Sequence, residues 1–464
     1  MEERTIRGVL GYNGNEYPFV LEKRLLSIVQ AYRQYQKDFI KKDELGNSYI
    51  VDKLGNLHGV TDRNEDIFLL NCRIFDPNLV EIGGSIQISL QGYIIQTEPD
   101  DGFDRIDFYS PALTAFYPPY KAWKVNHADT GVILAPREEI VFQTPVTIGG
   151  EELECFLNFS RYFNYKPEEQ HPLSIYPVFS IIFPQRKTSA ELGQYYLYVH
   201  NFLSLVNFRT NISFDDIILY KLDTANKLYK LGNAVIFEHL NINYTPDPYH
   251  CIAFEDLGSS SFAALFEEVA EHTLQQTYNP FFLPRNKNDI ATVDPARWLV
   301  AAISFEGEFD KAYSDYKAEQ YPEFHKVKEL LLSTINSEVK KTPYSINNKR
   351  NKHYSRFYHL IDNFDTTIKE KFIYTQQKLF KGEFEDVLMK YCKSNAVSPT
   401  TDFADVYEKT RNQTAHGAIR KISPEGVVVF QLLRCFIYLL IFERANVPSE
   451  QRKLIVNKLF LYGF

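Results

Sequence analysis

Toward the end of the chain, the stretch "EKTRNQTAHGAIRKISPEG" brings three chemically capable side chains together: Arg411, Asn412 and His416. Histidine exchanges a proton near neutral pH and is the commonest general acid or base in proteins. The arginine guanidinium binds anions through two parallel hydrogen bonds, and an asparagine amide can orient either partner. These three residues therefore form a candidate catalytic site.

A helix is predicted from Asp402, which suits the N-cap, to His416, with Gly417 in the position that glycine often takes after a last turn. Asn412 and His416 are four residues apart and share one face, and Arg411 lies on its flank. The opposite face is more apolar and comprises Phe403, Val406, Tyr407 and Thr410. The alternative interpretation is structural, because a cationic side chain such as His416 is favoured at a helix C-terminus in any case.

A second candidate site is the stretch 340–359, "KKTPYSINNKRNKHYSRFYH", which contains neither Asp nor Glu. Its cations are Lys340, Lys341, Lys349, Arg350, Lys352 and Arg356. Its interleaved aromatic residues are Tyr344, Tyr354, Phe357 and Tyr358. Because the formal net charge of the chain is -8, this local positive block is the best candidate for contacts with phosphates, and its rings suit stacking on bases. The alternative is a solvated loop whose charges only aid solubility.

The composition argues against metal, cofactor and membrane functions. The 5 cysteines are scattered, without a C-x-x-C pair or a histidine at metal-ligand spacing, and indicate reduced, buried thiols in a cytoplasmic protein. We therefore expect no metal and no other cofactor. The N-terminus "MEERTIRGVLGY" lacks the apolar segment of a signal peptide. The longest apolar run, 427–442, is too short to span a bilayer and contains Arg434, so we expect a core helix and no membrane partner.

The hydrophobic period divides the chain into a β-rich half and a helical half, which predicts an α+β multidomain fold. Residues 1–245 read as short strands bounded by Pro, Gly, Asn and Asp, and "GSIQISLQGY" alternates apolar with polar residues. We expect an antiparallel β-rich, sandwich-like or barrel domain here, with one helix near 189–207. The stretch 246–261 is dense in Pro, Asp and Ser and is interpreted as a linker.

An all-α bundle is predicted over 262–464, where the hydrophobic period becomes helical. The expected helices span 262–278, 295–319, 322–341, 354–380, 383–393, 402–416, 424–445 and 449–461. Prolines that favour the first helical position mark the starts at Pro295, after Asp294, and at Pro424, after Ser423.

Two helical stretches resemble a known family. The string R-N-x-x-x-H at a helix end, followed by a long apolar helix, resembles the ribonuclease motif of HEPN domains. The stretch "PARWLVAAISFEGEFDKAY", 295–313, is similar to the first long helix of the ApeA-like HEPN group, whose aromatic-rich run carries a glutamate that Glu306 matches. This stretch lacks the histidine that the group shows a few residues further on.

The N-terminal half is also similar to the β-rich domain that accompanies this HEPN type. In "HGVTDRNEDIFLLNCRIF", 58–75, it resembles a segment that begins with a Gly-containing turn and ends in a strand closing on Cys. The resemblance thus covers most of the chain.

The resemblance implies a metal-independent endoribonuclease with Arg411, Asn412 and His416 as catalytic residues and Glu306 in a supporting role. It implies an RNA substrate, tRNA or another cellular RNA, and makes Lys349, Arg350, Lys352 and Arg356 the candidate RNA-binding residues. It further implies a homodimer or higher homo-oligomer with a composite site. The expected role is bacterial anti-phage defence by abortive infection, with a sensor or regulatory N-terminal half that responds to a phage-derived trigger.

An alternative of a different class is a non-catalytic sensor or binding protein, in which the helical bundle only dimerises. A carbohydrate-binding β domain with a helical appendage is a third reading, supported by aromatic richness alone. Degradation of RNA in the presence of a chelator would separate the enzyme from the other two.

Overall fold

The structure, a computed structural model, divides into two compact units, Met1–Tyr278 and Asn279–Phe464. It describes residues 5–29, 38–42, 48–50, 53–75, 85–97, 102–128, 131–136, 142–163, 173–225, 227–237, 244–314, 316, 322–341, 349–362 and 367–462. The first unit contains the β structure and the second is helical, which confirms the predicted fold class.

The strands of the first unit are almost all joined in one antiparallel sheet. They are β1 Ile6–Tyr12, β2 Asn15–Glu22, β3 Leu25–Val29, β4 Ile40–Lys42, β5 Ser48–Ile50, β6 Lys53–Thr61, β7 Asp66–Ile74, β8 Ser85–Ser89, β9 Gly92–Gln96, β10 Gly102–Tyr109, β11 Trp123–Ala128, β12 Gly131–Pro136, β13 Phe142–Ile148, β14 Glu151–Phe163, β15 Leu173–Thr188, β16 Asp216–Leu222 and β17 Leu228–Ile236. The sheet order is β13-β14-β15-β10-β16-β17-β9-β7-β6-β1-β2-β3-β8, while β4-β5 and β11-β12 form separate hairpins.

Part of this sheet closes on itself. Strand β8 pairs with β3 and also with the end of β7, where Arg73 lies opposite Ser89. Strands β7, β6, β1, β2, β3 and β8 therefore form a closed antiparallel barrel. Ile86, Ile88 and Leu90 are buried in its core, and the intervening polar residues are partly exposed, as the alternating pattern predicts.

The stretch 58–75 is a hairpin of β6 and β7 that turns later than expected. Gly59 lies within β6 and not in a turn; a Cβ there would come within 2.5 Å of the Val9 carbonyl oxygen on the neighbouring strand. The chain reverses after Thr61, with Asn64 in a left-handed conformation at φ 62°. Gly59 is therefore a close-packing position, and Asn64 supplies the turn geometry.

Three helices of the first unit pack beside the remaining strands: α1 Pro111–Phe116, α2 Leu192–Val206 and α3 Phe254–Leu274. Helix α2 corresponds to the helix expected near 189–207. Helix α3 belongs to the first unit, because the Glu267 and Glu271 carboxylates accept hydrogen bonds from the main chain of Thr147 and Gly149, at 2.6 and 2.7 Å. The division of the chain therefore falls at 278, later than the linker placed at 246–261.

The second unit contains eight α-helices in its described residues. They are α4 Pro295–Ala312, α5 Pro322–Lys341, α6 Lys349–Asp362, α7 Ile368–Thr375, α8 Glu385–Ser394, α9 Phe403–Ala415, α10 Pro424–Arg444 and α11 Ser449–Val456, with π-helical turns at Gln376–Phe380 and Asn457–Tyr462. The Asp294 carboxylate accepts from Arg297 N at 2.9 Å and the Ser423 hydroxyl from Gly426 N at 3.1 Å, so both predicted helix starts are confirmed.

The single helix expected at 354–380 is two helices. Helix α6 begins earlier, at Lys349, and α7 has its own N-terminal cap. There Thr367 Oγ1 accepts from Glu370 N, and the Glu370 carboxylate accepts from Thr367 N at 3.0 Å. This reciprocal T-x-x-E capping box starts a new helix inside an otherwise continuous helical pattern.

Helices α4 and α10 form the centre of the second unit. Trp298 on α4 is fully buried and donates from Nε1 to the Gly426 carbonyl at 2.8 Å, which fixes α4 against the start of α10. Helix α10 is long and apolar enough to cross a membrane, but 89% of its apolar window is buried inside the fold. It is therefore the core helix that its sequence predicts.

Candidate active site around Arg411

Helix α9 presents Asn412 and His416 on its exposed face. Asp402 caps its N-terminus by accepting from the main-chain N–H groups of Ala404 and Asp405, and Gly417 follows it at φ 66°. The opposite face is buried and comprises Phe403, Tyr407, Thr410 and Thr414. The predicted orientation of the helix is thus the one that the structure has.

Neither the Asn412 amide nor the His416 imidazole has a side-chain hydrogen-bond partner among the described residues. His416 occupies the C-cap, where its main-chain N–H donates to the Asn412 carbonyl at 3.2 Å. Both side chains are exposed and so are accessible to a ligand or to a second chain.

The Arg411 side chain is less exposed than those of Asn412 and His416, and Glu306 of α4 binds its guanidinium at two points. Arg411 Nε lies 3.1 Å from Glu306 Oε1, and Nη2 lies 3.3 Å from Oε2. The Arg411 side chain is 30% exposed and that of Glu306 19%. The hydrogen bond that Arg411 donates to the Glu306 carboxylate raises the pKa of Arg411 further above its ordinary value, so the guanidinium remains a cation.

Tyr407, on the buried face of α9, also binds the Glu306 carboxylate. Its hydroxyl donates to Glu306 Oε1 at 3.1 Å, and its ring stacks on Phe372 with centroids 5.2 Å apart. Burial, and then the Glu306 carboxylate, raise the pKa of Tyr407 well above its ordinary value, so it acts as a neutral donor. The sequence pattern places Tyr407 on the apolar face and does not assign it to the site. Its spacing of four residues from Arg411 is the signal that both side chains could bind the same partner, here Glu306.

The geometry leaves part of Arg411 available for chemistry. A guanidinium has five N–H donors in a planar fork. Glu306 engages the edge between Nε and Nη2. Arg411 Nη1 makes no hydrogen bond to any residue that the structure describes, so the edge between Nη1 and Nη2 can bind another bidentate acceptor. The structure thus places Glu306, for which the sequence suggested only a supporting role, in direct contact with Arg411. The oriented Arg411 cation lies on the same helix as the exposed Asn412 amide and the exposed His416 imidazole.

The second candidate site lies on helix α6. Lys352 and Arg356 are four residues apart and exposed. The Phe357 side chain, next to Arg356 in sequence, is 57% exposed. Tyr354 and Tyr358 are partly buried. The side chains of Lys340, Lys341, Lys349 and Arg350, and the whole of 342–348 including Tyr344, lie outside the described residues. The described part of the block is therefore helical and not a loop.

Among the described residues, no group of three or more His, Cys, Asp or Glu side chains is placed to hold a metal ion. All five cysteines are free and buried, as expected from their scattered positions.

The comparison with known families agrees with the N-terminal resemblance. No curated protein and no solved structure matches the chain significantly. The family described as ApeA N-terminal domain 1 matches residues 3–315, which cover the first unit and continue to the end of α4 with Glu306. The chain therefore belongs to the ApeA N-terminal domain 1 family.

Proposed function

We propose that this protein is a metal-independent endoribonuclease of the HEPN type, with Arg411, Asn412 and His416 at its active site. The observation that carries the proposal is the two-point Glu306–Arg411 contact beside an exposed imidazole on the same helix. A partly buried carboxylate that orients a cation, without consuming all of its donors, is the arrangement expected of an anion-binding catalytic site.

The proposed reaction uses the ribose 2′-hydroxyl of RNA as its nucleophile. His416 removes the 2′-hydroxyl proton while the 2′-oxygen bonds to the adjacent phosphorus and the bond to the 5′-oxygen breaks. A proton returns to the leaving 5′-oxygen, from a second histidine or from water. The products are a 2′,3′-cyclic phosphate and a 5′-hydroxyl. The free edge of Arg411 binds the phosphoryl oxygens as their negative charge grows, and Asn412 orients the phosphate or the imidazole.

The proposed site is composite and is completed by a second copy of the chain. The exposure of Asn412 and His416 supports this, because a symmetric pairing through this face would bring two imidazoles to one cleft. One histidine would then serve as base and its counterpart as acid. Lys352 and Arg356, with Lys349 and Arg350, are proposed to bind the RNA backbone outside the reacting phosphate.

Membership of the ApeA N-terminal domain 1 family supports a defence-associated role. We propose that the protein acts in the cytoplasm as an anti-phage effector by abortive infection. The first unit would act as the sensor or regulatory part that responds to a phage-derived trigger and releases the ribonuclease.

One observation favours a second candidate, a non-catalytic binding protein whose helical unit only dimerises. The Glu306 carboxylate neutralises Arg411, and in this reading the ion pair is a structural tie between α4 and α9. The two candidates differ in whether substitution of His416, which takes no part in that tie, changes the fate of RNA.

Sequencing of RNA ends after induction of the full chain, beside a His416→Ala variant at equal abundance, tests the proposal. We expect new 5′-hydroxyl and cyclic-phosphate ends with the native chain and none with the variant. Cleavage by the purified chain should persist in EDTA. Identical RNA ends from the two chains would reject the ribonuclease and leave the binding protein.

A further inference from the structure

A cleft of about 520 Å³ lies within the first unit, between the barrel and helices α2 and α3. Its barrel side comes from β6, the middle of β7 and one of the two residues that join β8 to β9. Its other side comes from α2 with the turn before it, and from the end of α3 with the turn after it. This volume is in the range of pockets that bind small molecules or short segments of chain.

The lining of the cleft, as far as the described residues form it, carries no charge. None of these lining residues is Asp, Glu, Lys, Arg or His. A phosphate or carboxylate would have to leave water here without a counter-charge, which costs several kcal/mol in typical proteins. The lining therefore argues against nucleotides, nucleic-acid backbone and acidic metabolites, and favours an uncharged ligand.

Side-chain amides supply the polar part of the lining: Asn56, Asn71, Gln91, Gln194 and Gln276. Asn56 Oδ1 already accepts from Asn71 N at 2.8 Å, and Gln194 Nε2 donates to the Tyr198 hydroxyl. In the described residues, the side-chain amides of Asn71, Gln91 and Gln276 have no hydrogen-bond partner. Each offers both a donor and an acceptor, which is the complement of a peptide main chain.

Two of these amides occupy backbone positions that a glycine would adopt more easily. Asn71 has φ 50° and Gln276 φ 58°. Gln276 follows the end of α3, where glycine is the usual residue. A longer side chain in the left-handed region costs about 1 kcal/mol, and such positions concentrate at functional sites. Asparagine tolerates this region, whereas the carboxamide of Gln276 is present in the cleft at the expense of a backbone conformation that glutamine disfavours.

The apolar part of the lining includes two exposed leucines and lacks an accessible aromatic face. Leu197 on α2 is 41% exposed and Leu274 on α3 is 38% exposed. Tyr198, the only aromatic residue among the lining residues that the structure describes, is 1% exposed. Nucleobases and sugars are usually gripped by stacking on an exposed ring, so this lining suits an aliphatic side chain better.

We propose that this cleft binds an uncharged, extended segment of another protein. The amides of Asn71, Gln91 and Gln276 pair with main-chain N–H and C=O groups of the segment, and Leu197 and Leu274 contact one aliphatic side chain of it. Main-chain hydrogen bonds provide affinity and the aliphatic side chain provides selectivity, as in other modes of peptide recognition.

The chain offers two variants that change the cleft without disturbing the fold. Gln91→Ala removes a carboxamide, while the main-chain bonds of residue 91 to Leu70 and Phe237 remain. Gly193→Leu places a side chain in the cleft from the first turn of α2, where an added Cβ would lie 3.5 Å from Gln91 Oε1. Leucine also favours the helix more than glycine does. Gln275→Ala is the matched control, because it removes an exposed carboxamide at the C-cap of α3 that is not among the lining residues of the cleft.

The test uses a displayed library of random heptapeptides, selected on the full chain in the absence of RNA. We expect enrichment of uncharged sequences with one Leu, Ile, Val or Met anchor. The synthetic consensus peptide, with blocked ends, should bind the native chain and the Gln275→Ala chain equally, Gln91→Ala about fivefold more weakly, and Gly193→Leu not measurably. Methylation of its central main-chain nitrogens should weaken binding about tenfold.

Three results would overturn the proposal. One is a selection that yields no consensus, and another is binding that survives Gly193→Leu. The third is binding of adenosine or maltose, and not of peptides, by the native chain, when Gly193→Leu abolishes that binding. Because the assay contains no RNA and leaves His416 unchanged, its outcome is independent of the proposed ribonuclease.

Discussion

Glu306 and Arg411, 105 residues apart in sequence, form two parallel hydrogen bonds between α4 and α9. Arg411 Nε donates to Glu306 Oε1 at 3.1 Å, and Nη2 donates to Oε2 at 3.3 Å. The direction of the guanidinium is therefore set by α4 as well as by its own helix. A contact of this kind fixes orientation more than it adds stability, because both side chains are partly exposed.

Glu306→Gln is predicted to impair cleavage more than folding. The substitution turns one carboxylate oxygen into an NH₂ group that faces the Nη2 donor of Arg411, so the two-point contact is lost and the guanidinium is released. We expect RNA cleavage to fall about 10- to 100-fold, as for other losses of positioning. The free energy of unfolding should fall by about 1–2 kcal/mol, measured by urea denaturation.

Tyr407→Phe is the control for that variant. It removes the other donor to Glu306 Oε1 but leaves both bonds to Arg411. The loss of one hydrogen bond costs about 1 kcal/mol of stability. Cleavage within a few fold of the native rate is expected; a loss as deep as that of Glu306→Gln would show that the damage comes from packing and not from the orientation of Arg411.

His416→Ala is predicted to abolish cleavage and leave the fold intact. The side chain is exposed and unbonded within the described structure, so its loss should change stability by no more than about 0.5 kcal/mol. Loss of a general base lowers rates ~10²–10⁴-fold. Melting temperature and cleavage rate are measured on the same preparation. A variant that melts normally and cuts RNA at the native rate would refute the assigned role.

Arg411→Ala should also abolish cleavage, but it is a less clean variant. It leaves the Glu306 carboxylate, which is 19% exposed, without its cation. A stability loss of about 1–3 kcal/mol is expected from the unpaired acid. Arg411→Ala/Glu306→Gln should recover most of that stability without recovering activity; recovery of neither would mean that Arg411 is needed for packing.

The exposed face of α9 is predicted to meet its counterpart in a second chain. An Ala415→Cys variant provides the test, because residue 415 is exposed and the native cysteines are all buried. Mild oxidation should produce a disulfide-linked dimer on a non-reducing gel at micromolar concentration. Ser398→Cys, which is also exposed, is the control and should remain uncrosslinked. A monomer by sedimentation in both cases would rule out the composite site.

The basic face of α6 is predicted to contribute RNA affinity and not catalysis. Neutralising Lys352 and Arg356 to Gln should weaken binding and reduce the slope of log affinity against log salt by about 1.4–1.8, at roughly 0.7–0.9 for each phosphate contact. The turnover of saturated enzyme should stay the same. A Lys393→Gln/Lys453→Gln chain removes equal charge from other exposed positions and should keep the native slope. If both pairs change the slope alike, the effect is one of net charge.

The native cysteines are predicted to be inert in the folded protein. Burial raises the pKa of the Cys72 thiol to about 12, and it also raises the pKa values of Cys155, Cys392 and Cys435. The thiolate is the reactive form, so Ellman's reagent at pH 8 should label none of the 5 cysteines in native buffer and all of them in guanidinium. Rapid labelling of any native thiol would contradict this.

Features that depend on neighbouring residues were predictable from sequence. The start of α9 at Asp402 and its end before Gly417 follow from side chains that satisfy the main chain within a few residues. The same holds for the alternation that buries Ile86 and Ile88. The capping box at Thr367 is equally local, but the helical pattern continues on both sides of it, so the pattern alone does not mark a new helix start there.

Features that depend on distant pairing were not predictable. Closure of the barrel requires β8 to pair with β7, and nothing near Arg73 or Ser89 specifies that partner. The place of α3 in the first unit depends on its contacts with the turn after Thr147. The ion pair of Glu306 with Arg411 likewise joins two helices that only the folded chain brings together. The sequence therefore identifies both residues as candidates but does not predict that they contact each other.

The family match and the compact units end at different places, residue 315 and residue 278. A fragment cut at 315 would contain α4 but none of the later helices, so Phe305 would lose its ring contacts with Phe372, Tyr407 and Phe436. A helix stripped of its apolar neighbours favours aggregation. Recombinant halves of this protein should therefore be divided after Tyr278, which also keeps the acid of α4 in the same polypeptide as the arginine that it orients.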